Sequence, residues 1–153
     1  MFFKKYLAAL IVFVTAAGSP ATAQDVKSPD DVKYALQMLM HITNDFKRQI
    51  DRKTYARLPH EHEEFVEGSD ALRKAVANDP EPLKQSVETA LQAALAAAKD
   101  VADKNSSNDE AILRAGHAVM LAKVNAVFGV FPEPLRPDPN FMFTRKPAAT
   151  PTK

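Results

Sequence analysis

From Val32 to Val127 apolar side chains recur at intervals of three and four residues, the spacing that gathers them on one face of an α-helix. The first run is Val32, Ala35, Leu39, Ile42, Phe46 and Ile50. Ahead of it stands Ser28-Pro29-Asp30-Asp31: an N-cap residue, a proline suited to the first helical position, and two acids at the positive end of the helix dipole. Lys47, Arg48, Arg52 and Lys53 gather at the negative end. Pro59 predicts a break after Leu58, because proline disfavours the helical conformation of the residue before it. A second helix is expected from about His60 to Ala77, with Phe65, Leu72 and Val76 inside and Glu61, Glu63, Glu64 and Glu67 near its start. The third opens at Asp79-Pro80 and carries Leu83, Val87, Leu91, Ala94, Ala98 and Val101, its alanines permitting close helix approach. Ser107-Asn108-Asp109-Glu110 reads as a capping box for the fourth, which runs through Leu113, Met120, Val124 and Val127 to Gly129.

Four helices of similar length with short connections predict an all-α fold, an antiparallel up-down four-helix bundle. Its domain covers residues 24–130. The Pro-rich tail, 131–153, holds Leu135, Phe141, Met142 and Phe143 among prolines. Two readings of it stand: an extended strap docked on the bundle, or an arm that binds a periplasmic partner protein. From Thr144 onward the composition predicts disorder.

The first 23 residues change the compartment. Lys4 and Lys5, an apolar stretch from Tyr6 to Ala17, the break Gly18-Ser19-Pro20 and Ala21-Thr22-Ala23 are the three parts of a cleavable secretory signal. The apolar stretch is too short for a permanent span, which needs about 20 residues. The protein is expected outside the cytoplasm, in the periplasm, beginning at Gln24 and without a membrane span. Loss of Lys4 and Lys5 takes the formal net charge from +1 to −1, a balance that argues against nucleic acid as a partner. The remaining 130 residues suffice for one core. No cysteine occurs, which excludes disulfides, thiolate zinc sites, iron–sulfur clusters and covalent c-type haem.

The usual catalytic constellations are missing too. No Glu-x-x-His pair exists for a di-iron bundle site. His60-Glu61-His62-Glu63-Glu64 has glutamate where a zincin motif requires its second histidine. There is no nucleophile elbow and no phosphate-binding glycine loop. The expectation is a protein that is not an enzyme.

One constellation bears on ligand binding. Met38 and His41 lie three apart on the first helix, as do His117 and Met120 on the fourth. In an up-down bundle these helices are neighbours, and level matching sets the pairs opposite each other at mid-height. Two imidazoles and two thioethers suit a soft metal ion, copper(I) above all, and a Met/His pair suits non-covalent haem. Against this stands an ordinary core: methionine fills gaps, and a buried histidine is commonly hydrogen-bonded rather than ligated. A second, weaker metal candidate is His60 with Glu64, four apart at the start of the second helix. About 10 Å of axial rise separates it from His41.

The signal, the mature length, the four helices and the opening Pro29-Asp30-Asp31-Val32-Lys33-Tyr34 resemble the cytochrome c-prime group and the soluble b-type cytochrome of the same topology. The resemblance is one of architecture over Ser28 to Phe128. It implies haem held by Met38 or Met40 and His117, whereas the Cys-x-x-Cys-His attachment motif is absent: the fourth helix reads Ala115-Gly116-His117-Ala118-Val119-Met120. Two functions therefore compete, a periplasmic metal- or haem-binding bundle and a cofactor-free interaction or scaffold module.

Overall fold

The computed structural model describes residues 26–138, so the expected signal segment and the tail beyond Asp138 lie outside the described residues. Four helices make up this part, α1 (Pro29–Asp51), α2 (Leu58–Ala75), α3 (Glu81–Asp103) and α4 (Glu110–Gly129), joined by 3₁₀ turns at Tyr55–Arg57 and Asn105–Ser107. Among the described residues there is no strand; the fold is all-α. Helix α1 packs on α2 and α4, and α3 packs on the same two. The apolar stripes read from the sequence line one continuous core. Phe46, Phe65, Leu39, Leu72, Leu91, Leu113, Met120 and Val124 are buried in it completely. Two glycines sit at the close approaches. A Cβ on Gly68 would stand 3.1 Å from Leu39 Cδ2 of α1, and one on Gly116 would stand 3.1 Å from Val101 Cγ2 of α3.

The helix ends depart from the sequence reading in two places. Pro59 does not break a helix: Leu58 is helical (φ −58°, ψ −37°) and Pro59 lies in the first turn of α2, where a missing N–H is harmless. The break comes earlier, where Lys53 takes the left-handed conformation at φ 58°. Thr54 N–H then donates to Gln49 C=O (2.9 Å) and Lys53 N–H to Ile50 C=O (3.1 Å), a Schellman closure built on lysine instead of glycine. The cap of α4 is Asp109, two residues later than the box read from the sequence. Its carboxylate accepts from Ala111 N–H (2.9 Å) and Ile112 N–H (3.2 Å), while Ser107 Oγ accepts only from Asp109 N–H. Asp109→Ala is expected to destabilise the fold by about 1 kcal/mol, read as a shift of the urea midpoint without a change in slope.

After α4 the chain stays against the bundle. Phe131 is fully buried and Leu135 nearly so, and the 3₁₀ turn Glu133–Leu135 packs on α1. That turn corrects the expectation of a purely extended segment. At the other terminus Val26 is buried, and Lys27 N–H donates to Asp79 Oδ1 at 2.7 Å, tying the residues before α1 to the entrance of α3.

Candidate metal centre

The Met/His quartet does not converge. On α1 successive side chains step by about 100°, so His41 and Thr43 point about 200° apart. Met38 and His41 lie on the flank of α1 that meets α2: Met38 Cε comes within 3.4 Å of the Cβ position of Gly68, and His41 Nε2 is 3.5 Å from Asp45 Oδ2. His117 approaches α1 from its other flank, where Nε2 stands 3.0 Å from the Thr43 carbonyl oxygen and the ring lines a small cavity with Lys47, Ile50 and Arg114. Met120 is enclosed in the apolar core. The level matching of α1 with α4 ignored which flank of α1 each residue occupies, and that flank decides the matter.

The same observations test haem. The cavity beside His117 measures about 90 Å³, against roughly 300–1,000 Å³ for small-molecule and cofactor sites, and one ring nitrogen of His117 already faces a backbone carbonyl. The residues present do not bring Met38 and His117 together around a haem, and Met40 lines a separate cavity of about 400 Å³ between α1 and α4 with Thr43, Leu121 and Val124 rather than with His117. His117 reads as a hydrogen-bonded histidine at a helix–helix contact. His117→Leu is expected to cost roughly 1 kcal/mol, the net worth of one hydrogen bond, in a chemical denaturation experiment.

A different cluster does converge. Asp45 of α1 and Glu61 and Glu64 of α2 each offer a carboxylate oxygen, and these atoms lie within 4.8 Å of one another. The helices position them simply. On α1, His41, Asp45 and Gln49 repeat at four-residue spacing along the flank facing α2, and on α2, Glu61 and Glu64 project from the first turns. They border an open cavity of about 360 Å³, lined also by Arg48, Arg52, Arg57 and Thr54. Glu61 is only 4% exposed and Asp45 8%. Histidines flank the carboxylates on both sides, His41 at Asp45 and His60 at Glu64, with Nε2 of His60 3.8 Å from Glu64 Oε1. Of the sequence candidates, the pair His60 and Glu64 thus lies at this centre, and His41 joins it through Asp45 rather than through His117.

The hydrogen bonds leave ligand capacity. Glu61 Oε1 accepts from Gln49 Nε2 at 2.8 Å, and Thr54 Oγ1 in turn donates to Gln49 Oε1, which fixes the amide. Arg48 donates to Asp45 Oδ1 and leaves Oδ2 toward His41. Burial holds the Glu61 carboxyl above its usual range; the Gln49 bond works against this, and repulsion from Asp45 and Glu64 adds to it. Arg48, Arg52 and Arg57 line the same cavity, so a metal ion there competes with guanidinium groups for the carboxylates.

Asp45 and Glu61 are the members that sequence reasoning missed. The available signal was polar: a His-Asp-Gln series at four-residue spacing on the first helix, beside the acid-rich start of the second.

No family model matches the chain, and neither a curated protein nor a solved structure matches it.

Proposed function

We propose that this is a periplasmic, non-enzymatic protein, an antiparallel up-down four-helix bundle with residues 131–138 of its Pro-rich tail strapped along α1, that binds a divalent transition-metal ion between α1 and α2. Asp45, Glu61 and Glu64 supply the oxygen ligands, and His41 and His60 are the imidazoles close enough to complete the shell. The observation that carries the reading is the convergence of three carboxylates, two of them buried, within 4.8 Å of one another. Carboxylate with imidazole suits zinc(II), manganese(II), iron(II) or copper(II), whereas copper(I) prefers thioether and thiolate. Metal binding is thus retained from the sequence, with harder ligands. The neighbour relations of the helices support the bundle topology, and the burial of Phe131 and Leu135 supports the strap.

Dialysis against equimolar zinc(II), manganese(II), iron(II) and copper(II), followed by elemental analysis, should leave about one ion per chain. The variant Asp45→Asn/Glu61→Gln/Glu64→Gln should retain none, and equal retention by both would remove the site. Export has its own check: N-terminal sequencing of the protein from the bacterial envelope should read Gln24 first, and a retained Met1 would contradict the compartment.

The interaction-module reading keeps one specific support. The outer face of α4 exposes Ile112, Val119 and Leu121.

A further inference from the structure

Helix α4 is apolar on two faces. Inward it presents Leu113, Met120, Val124 and Val127, all buried. Outward, Ile112, Ala115, Val119, Ala122 and Ala126 alternate at three- and four-residue spacing, and every one of them is exposed, Ile112 to 44% and Val119 to 55%. That is a heptad seam with no charged residue on it, on a helix whose 18-residue window reaches a mean hydropathy of 1.3 with 22% of it buried. A second apolar face left at the surface calls for a second covering surface.

We propose that this seam is covered by α4 of a second copy of the chain, running antiparallel about a two-fold axis at Val119. Three features of the surface select that occupant. First, the seam is complementary to itself in size: the axis sets Val119 against Val119 and, seven residues to either side, the bulky Ile112 against the small Ala126. Second, the surface around Ala126 is already hollow. Ala126 and Lys123 share an open groove of about 550 Å³ with Ala90 and Ala93 of α3. The partner's Ile112 enters that groove as a knob enters a hole. Third, charge agrees. Lys123 lies on the α3 side of α4, and the axis brings it level with the partner's Ala115, beside Gly116. Asp100 of α3 sits there, its Oδ2 3.9 Å from the Cβ position of Gly116 and 2.7 Å from Lys104 Nζ of its own chain, so the partner's Lys123 shares this carboxylate with Lys104. A two-fold axis perpendicular to the helices keeps α3 sides together, so Lys123 of each copy meets Asp100 of the other.

A 20-residue helix is about 30 Å long, and a strip of that length with its α3 flank covers several hundred Å² per partner. That corresponds to a weak, concentration-dependent dimer. The seam lies away from the carboxylate centre on α1 and α2, so this association and the metal site stand or fall separately.

Sedimentation velocity of the full chain across a concentration series, with and without zinc(II), tests the proposal. The protein should pass from monomer to dimer as concentration rises. Val119→Glu puts two like charges on the axis of an exposed position, so the monomer stays folded by circular dichroism while dimerisation weakens at least about tenfold. Lys123→Asp should weaken it as well, and adding Asp100→Lys should restore it. A wild type that stays monomeric at millimolar concentration overturns the proposal. So does a chain that dimerises only when ended after Asp138, because the seam is then covered by the protein's own residues 139–153. Recovery of the monomer on floated anionic vesicles, with no dimer in solution, overturns it in favour of a membrane surface.

Discussion

Ending the chain after Gly129 is expected to lower the stability of the fold by roughly 3–6 kcal/mol, since each buried Phe or Leu is worth roughly 1.5–3 kcal/mol. The cut removes Phe131, which is fully buried in the core cluster, and Leu135, which is 8% exposed. It also removes the 2.9 Å bond from Arg136 Nε to the Phe131 carbonyl, which holds the turn Glu133–Leu135 in place. Ending the chain after Asp138 leaves all of these and reports on residues 139–153 alone. The pair of truncations, compared by thermal and urea unfolding, separates a segment that completes the core from an arm that only extends it. An unchanged melting temperature after the first cut would mean that residues 131–138 are an independent arm, as a partner-binding tail requires.

The four helices were legible because the inward stripes of α1, α2 and α3 are cleanly amphipathic, and every stripe residue named on them is buried. The helix boundaries were less legible for local reasons. Lys53 adopts a left-handed conformation that glycine or asparagine would have advertised, and Pro59 opens a helix that its usual effect on the preceding residue seemed to forbid. Asp109 competed with Ser107 for the cap, and sequence cannot decide between two good capping residues two positions apart. The candidate site was legible only at its edge. His60 and Glu64 follow from four-residue spacing within one helix, whereas Asp45 with Glu61 requires knowing which flank of α1 meets α2. Helix-to-helix level matching supplies height and not direction, and for that reason it placed Met38, His41, His117 and Met120 together although the structure puts them on different flanks.

Glu61 gives the second large effect, and its sign can be worked out. Burial, then repulsion from Asp45 and Glu64, raise its pKa above the usual carboxylate value, against the lowering influence of Gln49. The fold therefore holds that proton more tightly than the unfolded chain does. The stabilisation is present below the ordinary carboxylate range and is lost as pH rises through the raised value. Metal-free protein should lose stability as pH climbs above the ordinary glutamate range, and Glu61→Gln, which keeps an oxygen for the Gln49 amide, should remove that part of the slope and be more stable at neutral pH. Metal reverses the order. At a free ion concentration of one hundred times Kd, wild type should gain about 2.7 kcal/mol and Glu61→Gln much less. A carboxylate that merely decorates the surface would show neither the pH slope nor the exchange of rank.

The most direct measurement is a calorimetric titration of zinc(II) into three proteins: wild type, Asp45→Asn/Glu61→Gln/Glu64→Gln, and Met38→Leu/His117→Leu. Run at a pH low enough for Glu61 to carry its proton in part, and in two buffers of different ionisation enthalpy, it also counts protons released on binding. The carboxylate centre predicts one site per chain in wild type, proton release from Glu61 together with the imidazoles that join the shell, no binding in the triple variant and undiminished binding in Met38→Leu/His117→Leu. Zinc binding that survives the loss of all three carboxylates, or that disappears with Met38 and His117, would contradict it.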